Sequence, residues 1–176
     1  MMRILIVFPF LALFLIVGAM LDNRHVHQQA VVVDEREIKD LALNIYHETR
    51  GVSGQGNVGW RSVAAVVFNR LEDERFPKTI HKVIFQRNVK KGTCAFSWYC
   101  DEKSDRVTDA KTYNKILAEA RQYLVEYRSG VWVDPTHGAH SYHATTIKPN
   151  KYFQRLQLVL VVDDGEHGHR FYRDGS

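Results

Sequence analysis

The hydrophobic and polar positions of this chain change character twice along its length. An uncharged run comes first, from Ile4 to Leu21, and apolar residues then recur at helical spacing as far as Arg128. Beyond Gly130 the chain carries short segments typical of strands. Helices followed by a small antiparallel sheet indicate a single α+β domain. We expect three parts, namely a leader at residues 1–21, a polar tether at residues 22–33 and the domain at residues 34–176.

The helical pattern is sharpest where the domain starts. Asp34 and Glu37 have the spacing of an N-cap and its return partner, so a first helix is expected to begin there and to end near Gly51. Its apolar stripe comprises Ile38, Leu41, Ala42 and Ile45. Continuing that stripe by one turn reaches Glu48, which places a carboxylate on the face that points toward the core.

The remaining elements follow from the same rules. Val52–Gly59 is expected to be a glycine-rich turn, and the loop from Gln86 to Val107 is long and rich in aromatic residues. The further helices are expected at about Trp60–Leu71, from a Thr79 cap to near Phe85, and at about Thr108–Arg128. The strands are expected at about 139–146, 156–162 and 168–173, with a turn at Asp164 and Gly165.

The first 21 residues suit export. Arg3 precedes an uncharged run that ends at Leu21, and this length is close to the roughly 20 residues that span a membrane. The run also fits a cleavable secretory signal. In both cases the domain is exported, to the periplasm or cell wall, and it is anchored in the inner membrane through residues 4–21 if the leader is not cleaved.

Composition narrows the class of partner. The chain is 45% apolar and 25% charged, which is typical of globular proteins, and its net charge is +4. Because the basic residues are scattered among acidic ones, we expect no nucleic-acid partner. Cys94 and Cys100 are the only two cysteines, and in an exported chain they are expected to form a disulfide. The alternative is a pair of buried free thiols.

Glu48 is the sharpest candidate for chemistry. Burial on an apolar face and the negative end of the helix dipole should both raise its pKa. A carboxylic acid that stays protonated near neutral pH can donate a proton to a glycosidic oxygen. The alternative is a structural glutamate that pairs with Arg50 or Arg61.

The histidines offer a rival site. His143 together with His167 or His169 could hold zinc, as in a wall amidase or peptidase, although no HExxH motif is present. Residues 137 to 143 cannot supply three ligands from one extended strand, because side chains alternate between its faces. Hydrogen-bonded structural histidines are therefore the expectation, with no metal and no cofactor.

Several segments resemble the SleB-like cell-wall hydrolases, the family that includes spore-cortex-lytic enzymes. The resemblance covers about residues 38 to 173, and the order and spacing of its motifs are specific. The matching segments are Tyr46-His-Glu-Thr-Arg-Gly51, Gly54-Gln55, Ser62-Val-Ala-Ala-Val-Val-Phe-Asn-Arg70, Phe76-Pro-Lys-Thr-Ile80, Val83-Ile-Phe-Gln86, Cys94-Ala-Phe-Ser-Trp98, Gly138-Ala-His-Ser-Tyr-His143 and Gly168-His-Arg-Phe-Tyr172.

The resemblance implies a lysozyme-like α+β fold that cleaves the glycan strands of peptidoglycan, typically as a lytic transglycosylase. It also implies that Glu48 is the catalytic acid. Thr49 stands where the family usually has Ala, and Val52 stands where many members carry a second Glu. A one-carboxylate mechanism that yields a 1,6-anhydro product fits that loss.

Aromatic and amide side chains near the expected cleft suit stacking on sugar rings and hydrogen bonding to them. We expect the sugar cleft to contain Gln86, Phe96, Ser97, Tyr142 and His143. Hydrolysis with a second carboxylate, from Asp101, Asp163 or Asp164, stays an alternative. A non-catalytic wall-binding module is a further alternative.

Overall fold

The computed structural model describes residues 31–49, 56–163 and 168–175, and its compact domain begins at Val32. In this part of the chain, three helices precede a two-stranded antiparallel sheet, and a fourth helix precedes a three-stranded antiparallel sheet. This arrangement confirms the expected α+β class. The elements are α1 (Glu35–Glu48), α2 (Gly56–Glu72), α3 (Ile80–Ile84), β1 (Arg87–Asn88), β2 (Thr93–Cys94), a 3₁₀ turn (Ser97–Cys100), α4 (Ala110–Arg128), β3 (Ser141–Ala144), a second 3₁₀ turn (Phe153–Arg155), β4 (Gln157–Asp163) and β5 (Gly168–Arg173).

Some of the predicted features concern residues that the structure does not describe. The leader, most of the tether, Gly51 and the Asp164-Gly165 turn lie outside the described residues. Within the described ranges, no helix has both the length and the apolar character needed to cross a membrane.

Helix α1 is capped at both ends by side chains. The Asp34 carboxylate accepts a hydrogen bond from the Arg36 amide at 2.8 Å. The predicted return contact from Glu37 is wrong, because Glu37 instead pairs with Arg128 of α4 at 3.0 Å. At the other end, the Thr49 hydroxyl donates to the carbonyl oxygen of Ile45 at 2.7 Å. A polar C-cap of this kind accommodates threonine where the family usually has alanine.

Helix α2 begins at Gly56, four residues before the predicted start at Trp60. Glycine lowers helix propensity, which is why the pattern indicated a turn. In the fold Gly59 is buried, and the Ser62 hydroxyl donates to the carbonyl oxygen of Val58 at 2.8 Å. Tertiary packing therefore outweighs the local preference at this helix end.

The core has two parts that meet at α2. The larger part lies among α1, α2, α3 and α4, and the smaller one joins Val66 of α2 to the three-stranded sheet. The larger part includes Ile38, Leu41, Ile45, Val63, Val67, Phe68, Ile80, Ile84, Phe96, Trp98, Ile116, Tyr123 and Leu124. Helix α2 is therefore covered on two faces, and its end lies between the helices and the sheet.

The long segment between α3 and α4 is ordered by its own pairs. A disulfide joins Cys94 to Cys100, as expected, with their Cα atoms 5.9 Å apart. Strands β1 and β2 form a short hairpin that ends at Cys94. The indole Nε1 of Trp98 donates to the Asn44 amide oxygen at 2.9 Å, and the indole stacks on His47. These contacts hold the segment against the second half of α1.

The three-stranded sheet has the order β3-β5-β4, and both pairs are antiparallel. Strand β3 is shorter than predicted, since residues 139 and 140 precede it. Their carbonyl oxygens are occupied by side chains of α2: Asn69 donates to Ala139 at 3.0 Å and Arg70 donates to His140. The end of α2 thus determines where β3 begins.

Candidate active site

Glu48 is the last residue of α1, and its carboxyl group lies in a cavity of about 230 Å³. The cavity lies where α1, the end of α2, the disulfide segment and strand β3 come together. Its walls are formed by Glu48, Arg70, Cys94, Ala95, Phe96, Ser97, Ser141, Tyr142 and Phe153. Among the described residues that line it, Glu48 is the only carboxylate.

Burial raises the pKa of Glu48 to about 7. The Tyr142 phenol and the charge of Arg70 both lower this pKa, and the charge of Asp101 raises it, but each effect is smaller than burial. Arg61, a partner considered from sequence, pairs with Glu126 at 2.6 Å instead. A carboxyl with this pKa is about half protonated at neutral pH, so it can act as an acid and, once ionised, as a base.

Tyr142 extends from β3 toward Glu48, and its hydroxyl is buried. Burial raises the pKa of Tyr142 well above its usual value, so the phenol stays a hydrogen-bond donor. The hydroxyl faces the Glu48 carboxyl closely enough to lower its pKa, but the contact does not reach the geometry of a full hydrogen bond. The phenol is therefore available to a ligand in the cavity.

Arg70 anchors α2 to the strand that carries Tyr142. Its Nε and Nη2 atoms both donate to the carbonyl oxygen of His140, at 3.0 and 2.8 Å. Its guanidinium lies over the Phe96 ring, 4.8 Å from the ring centre. The third nitrogen, Nη1, is buried and has no partner within the part of the chain that the structure describes. The cavity is thus lined by one acid and by two buried donors that make no full hydrogen bond to the described residues.

A second, larger cavity of about 520 Å³ adjoins the first. The two cavities share Arg70, Cys94, Ala95 and Ser141 as lining residues. Gln86 lines the larger one, together with the β1–β2 hairpin and Tyr152, whose hydroxyl lies 3.0 Å from that of Ser141. The two cavities therefore lie next to each other, with these four shared residues between them.

The structure brings together most of the residues expected in the cleft. Phe96, Ser97 and Tyr142 line the cavity of Glu48, although Phe96 is only 2% exposed and forms a wall rather than a stacking platform. Gln86 lines the adjoining cavity. His143 does not line either space, because it faces the other side of β3 from Tyr142 and packs on Tyr172 and Phe153.

Arg70 was not among the residues predicted to line the cleft. The signal was present, since Arg70 lies three residues after Val67 and seven after Val63, on the apolar stripe of α2. Like Glu48 in α1, Arg70 is a charged residue on the apolar stripe near the end of its helix, and such a position indicates a functional side chain. Ser141, which lines both cavities, has no comparable signal.

The histidines are held by structural contacts. His143 uses both ring nitrogens, at 2.8 Å from the Ala144 carbonyl and 3.0 Å from the Tyr172 hydroxyl. Burial lowers the pKa of His169 to about 4, and the nearby His143 contributes to that shift. His167 lies outside the described residues. Among the residues that are described, no three His, Cys, Asp or Glu side chains converge as metal ligands would.

Two of the carboxylates considered as second catalytic groups are described. Asp101 follows the 3₁₀ turn, is near enough to act on the pKa of Glu48, and accepts from the Lys103 amide at 3.0 Å. Asp163 ends strand β4 opposite Gly168. Neither of them lines the cavity of Glu48.

Comparison with known proteins assigns the family. A family profile described as cell wall hydrolase matches residues 54–172, which is more than half of the chain. The chain belongs to the cell wall hydrolase family. The expected resemblance to SleB-like enzymes and the expected enzyme class, a peptidoglycan-degrading enzyme, are thereby confirmed. The matched region begins after Glu48, so the role of this residue rests on the geometry of the site.

Two solved structures, both of SleB catalytic domains, resemble this cell wall hydrolase. One is the catalytic domain of the germination-specific lytic transglycosylase SleB from Bacillus anthracis, with a TM-score of 0.55 and 23% identity, covering 80% of this chain and 97% of that one. The other is the catalytic domain of Bacillus cereus SleB, with a TM-score of 0.54 and 26% identity, covering 81% and 93%. They confirm the expected fold. No curated protein matches the chain.

Proposed function

We propose that this chain cleaves the glycan strands of peptidoglycan as a lytic transglycosylase, with Glu48 as its one acid and base. The observation that carries the proposal is a single carboxyl with a pKa of about 7 in a cavity bounded by Tyr142 and Arg70. Of the described residues lining that cavity, no other is acidic. A hydrolase more often places a second carboxylate about 5 to 9 Å away.

In the first half of the reaction, protonated Glu48 donates its proton to the glycosidic oxygen. The bond between this oxygen and C1 of the muramyl residue breaks, and positive charge develops at C1. In the second half, ionised Glu48 takes the proton from the muramyl 6-hydroxyl as that oxygen bonds to C1. The products are a 1,6-anhydro-muramyl end and a free 4-hydroxyl, no water is consumed, and Glu48 ends protonated again.

The two buried donors fit this reaction. The Tyr142 hydroxyl and Nη1 of Arg70 are buried, lack partners in the described part of the chain, and belong to side chains that line the cavity of Glu48. A sugar bound there offers acceptor oxygens that satisfy them, which removes the cost of leaving them unpaired. Phe96 and Phe153 supply the apolar wall against which the sugar ring lies.

The substrate places the site of action at the cell wall. We propose that the domain at residues 34–176 is exported and works in the periplasm or wall, with residues 1–21 as its leader. If the leader is retained, residues 4–21 hold the enzyme at the inner membrane. Peptidoglycan is then its partner, reached from the membrane through the tether at residues 22–33.

Mass spectrometry of digested peptidoglycan tests the proposal. The wild-type chain is expected to release 1,6-anhydro-muropeptides, and Glu48→Gln is expected to release none. Asp101→Asn is the matched control, since it removes the carboxylate that acts on Glu48 from outside the cavity, and it should release the same anhydro products. Saccharides with reducing ends would instead indicate a hydrolase, and freed stem peptides would indicate an amidase.

A further inference from the structure

The charged side chains that line the larger cavity beside Glu48 are all basic. Three of its lining side chains are basic, namely Arg70, Arg87 and Lys90, and the described residues that line it include no Asp or Glu. Two of these cations come from the β1–β2 hairpin, whose turn projects Val89 into solvent with 90% of its surface exposed. The hairpin therefore forms a basic rim over the cleft.

The rim cations are positioned but not neutralised. The Arg87 guanidinium lies 4.4 Å from the ring centre of Tyr99, which fixes the direction of its side chain. The Lys91 amide donates to the Asn88 side chain at 3.2 Å and to its carbonyl at 3.1 Å, which shapes the turn beside Lys90. Within the described part of the chain, neither Arg87 nor Lys90 makes an ion pair with a carboxylate.

The cavity adjoins the space around Glu48. Arg70, Cys94, Ala95 and Ser141 line both, so a ligand bound at Glu48 can extend a substituent past Arg70 to the basic rim. Such a substituent lies near the scissile bond. In peptidoglycan the muramyl residue at that bond carries a lactyl group, to which the stem peptide and its free carboxylates are attached.

We propose that the cavity lined by Arg87 and Lys90 binds the carboxylates of the stem peptide. The proposal rests on the proposed function, because it takes a peptidoglycan glycan strand as the ligand at Glu48. A cleft lined by charges of one sign attracts ligands of the opposite sign and orients them. The enzyme then prefers strands that keep their peptides over strands that have lost them.

Binding is measured in the Glu48→Gln background of the full chain, so that no ligand is consumed. Three soluble glycan strands of equal length serve as probes: one with free stem-peptide carboxylates, one with those carboxylates amidated, and one stripped of peptides, with its freed lactyl carboxylates also amidated. We expect the first to bind roughly fivefold more tightly than the other two, in line with one or two partly exposed ion pairs. Raising the salt from about 0.05 to 0.5 M should remove most of that preference.

Two charge-reversal variants distinguish binding at the basic rim from an effect of the overall charge of the protein. Lys90→Glu is expected to abolish the preference for free carboxylates while leaving the binding of stripped strands unchanged. Lys115→Glu, an exposed site on α4, is the matched control and should preserve the preference. Arg87→Gln provides a second variant of the rim with the same expected loss. Thermal unfolding of each variant checks that the fold is kept.

Two outcomes overturn the inference. One is that amidated strands bind as tightly as strands with free carboxylates. The other is that Lys90→Glu weakens all three probes equally. A failure of the proposed function shows up separately, as wild-type digests without anhydro products, and leaves the binding comparison readable because that comparison needs no turnover.

Discussion

Tyr142 and Glu48 face each other across the cavity, and the environment raises the pKa of both. Burial is the main cause in each case, and it raises the pKa of Glu48 to about 7. The charge of ionised Glu48 further raises the pKa of Tyr142, while the phenol lowers that of Glu48. Tyr142 thus adjusts the pH at which the proposed acid loses its proton.

The pH profile of activity follows from that relationship. Because the proposed reaction starts with protonated Glu48, kcat/KM should fall as the pH rises through about 7. Tyr142→Phe removes the group that lowers the pKa of Glu48, so this basic limb should move to higher pH. Tyr113→Phe, on α4, is the control and should leave the limb in place. Steady-state rates between pH 5 and 9 measure it, and an unmoved limb in Tyr142→Phe contradicts the assignment.

Glu48→Gln should abolish activity, lowering the rate by about 10³-fold or more, yet leave the fold as stable or more stable. The pKa of Glu48 rises from its ordinary value of 4.5 to about 7 in the folded protein, so ionisation costs stability as the pH rises from about 4.5 to 7. The variant lacks this cost, and at pH 8 it should gain roughly 1 to 3 kcal/mol over wild type. At pH 4 the two should be alike.

Urea unfolding at the two pH values measures this difference. Glu74→Gln, at an exposed position, is the control and should show no gain at either pH. A large loss of stability for Glu48→Gln at both pH values, with activity retained, would make Glu48 a structural residue.

The disulfide should stabilise the domain and preserve the cleft. Replacing Cys94 and Cys100 together by serine should lower the free energy of unfolding by about 2 kcal/mol, because the bond closes a short loop. Since Cys94 lines both cavities, kcat/KM should fall as well. Denaturant unfolding with and without reductant measures the effect. Reductant should weaken the wild type and leave the double variant unchanged; equal stability of the two proteins contradicts the prediction.

Asn69 should be a structural anchor for strand β3. Its amide nitrogen donates to Asp134 at 3.0 Å and to the Ala139 carbonyl at 3.0 Å, which ties α2 to the segment before the strand. Asn69→Ala leaves these acceptors short of a donor and should cost about 1 to 3 kcal/mol. Thr136→Ser keeps the hydroxyl that contacts Asp134 and should cost less. Thermal unfolding compares the two, and an unchanged Asn69→Ala would show that the anchor contributes nothing.

Local signals in the sequence predicted the elements well where neighbouring residues alone decide them. The Asp34 and Thr79 caps lie where the sequence placed them, since each cap bonds to an amide two or three residues away. The predicted start of α2 was wrong because the packing of Gly59 offsets the low helix propensity of glycine, and no nearby residue reveals that packing. The predicted partner of Glu37 was wrong for the same reason, because Arg128 is distant in sequence.

By itself, the sequence determined that a carboxylate lies on the apolar stripe at the end of α1, because a helical period of 3.6 residues leaves little choice of face. It also placed Tyr142 and His143 next to each other in one strand, but both were expected in the cleft although neighbouring side chains alternate between the faces of a strand. Only the tertiary structure decided that Tyr142 is the one that faces Glu48, and that Arg70 lies beside it. Those contacts depend on hydrogen bonds from the end of α2 to the segment before β3. In these bonds Asn69 and Arg70 donate to backbone carbonyls about 70 residues away in the sequence.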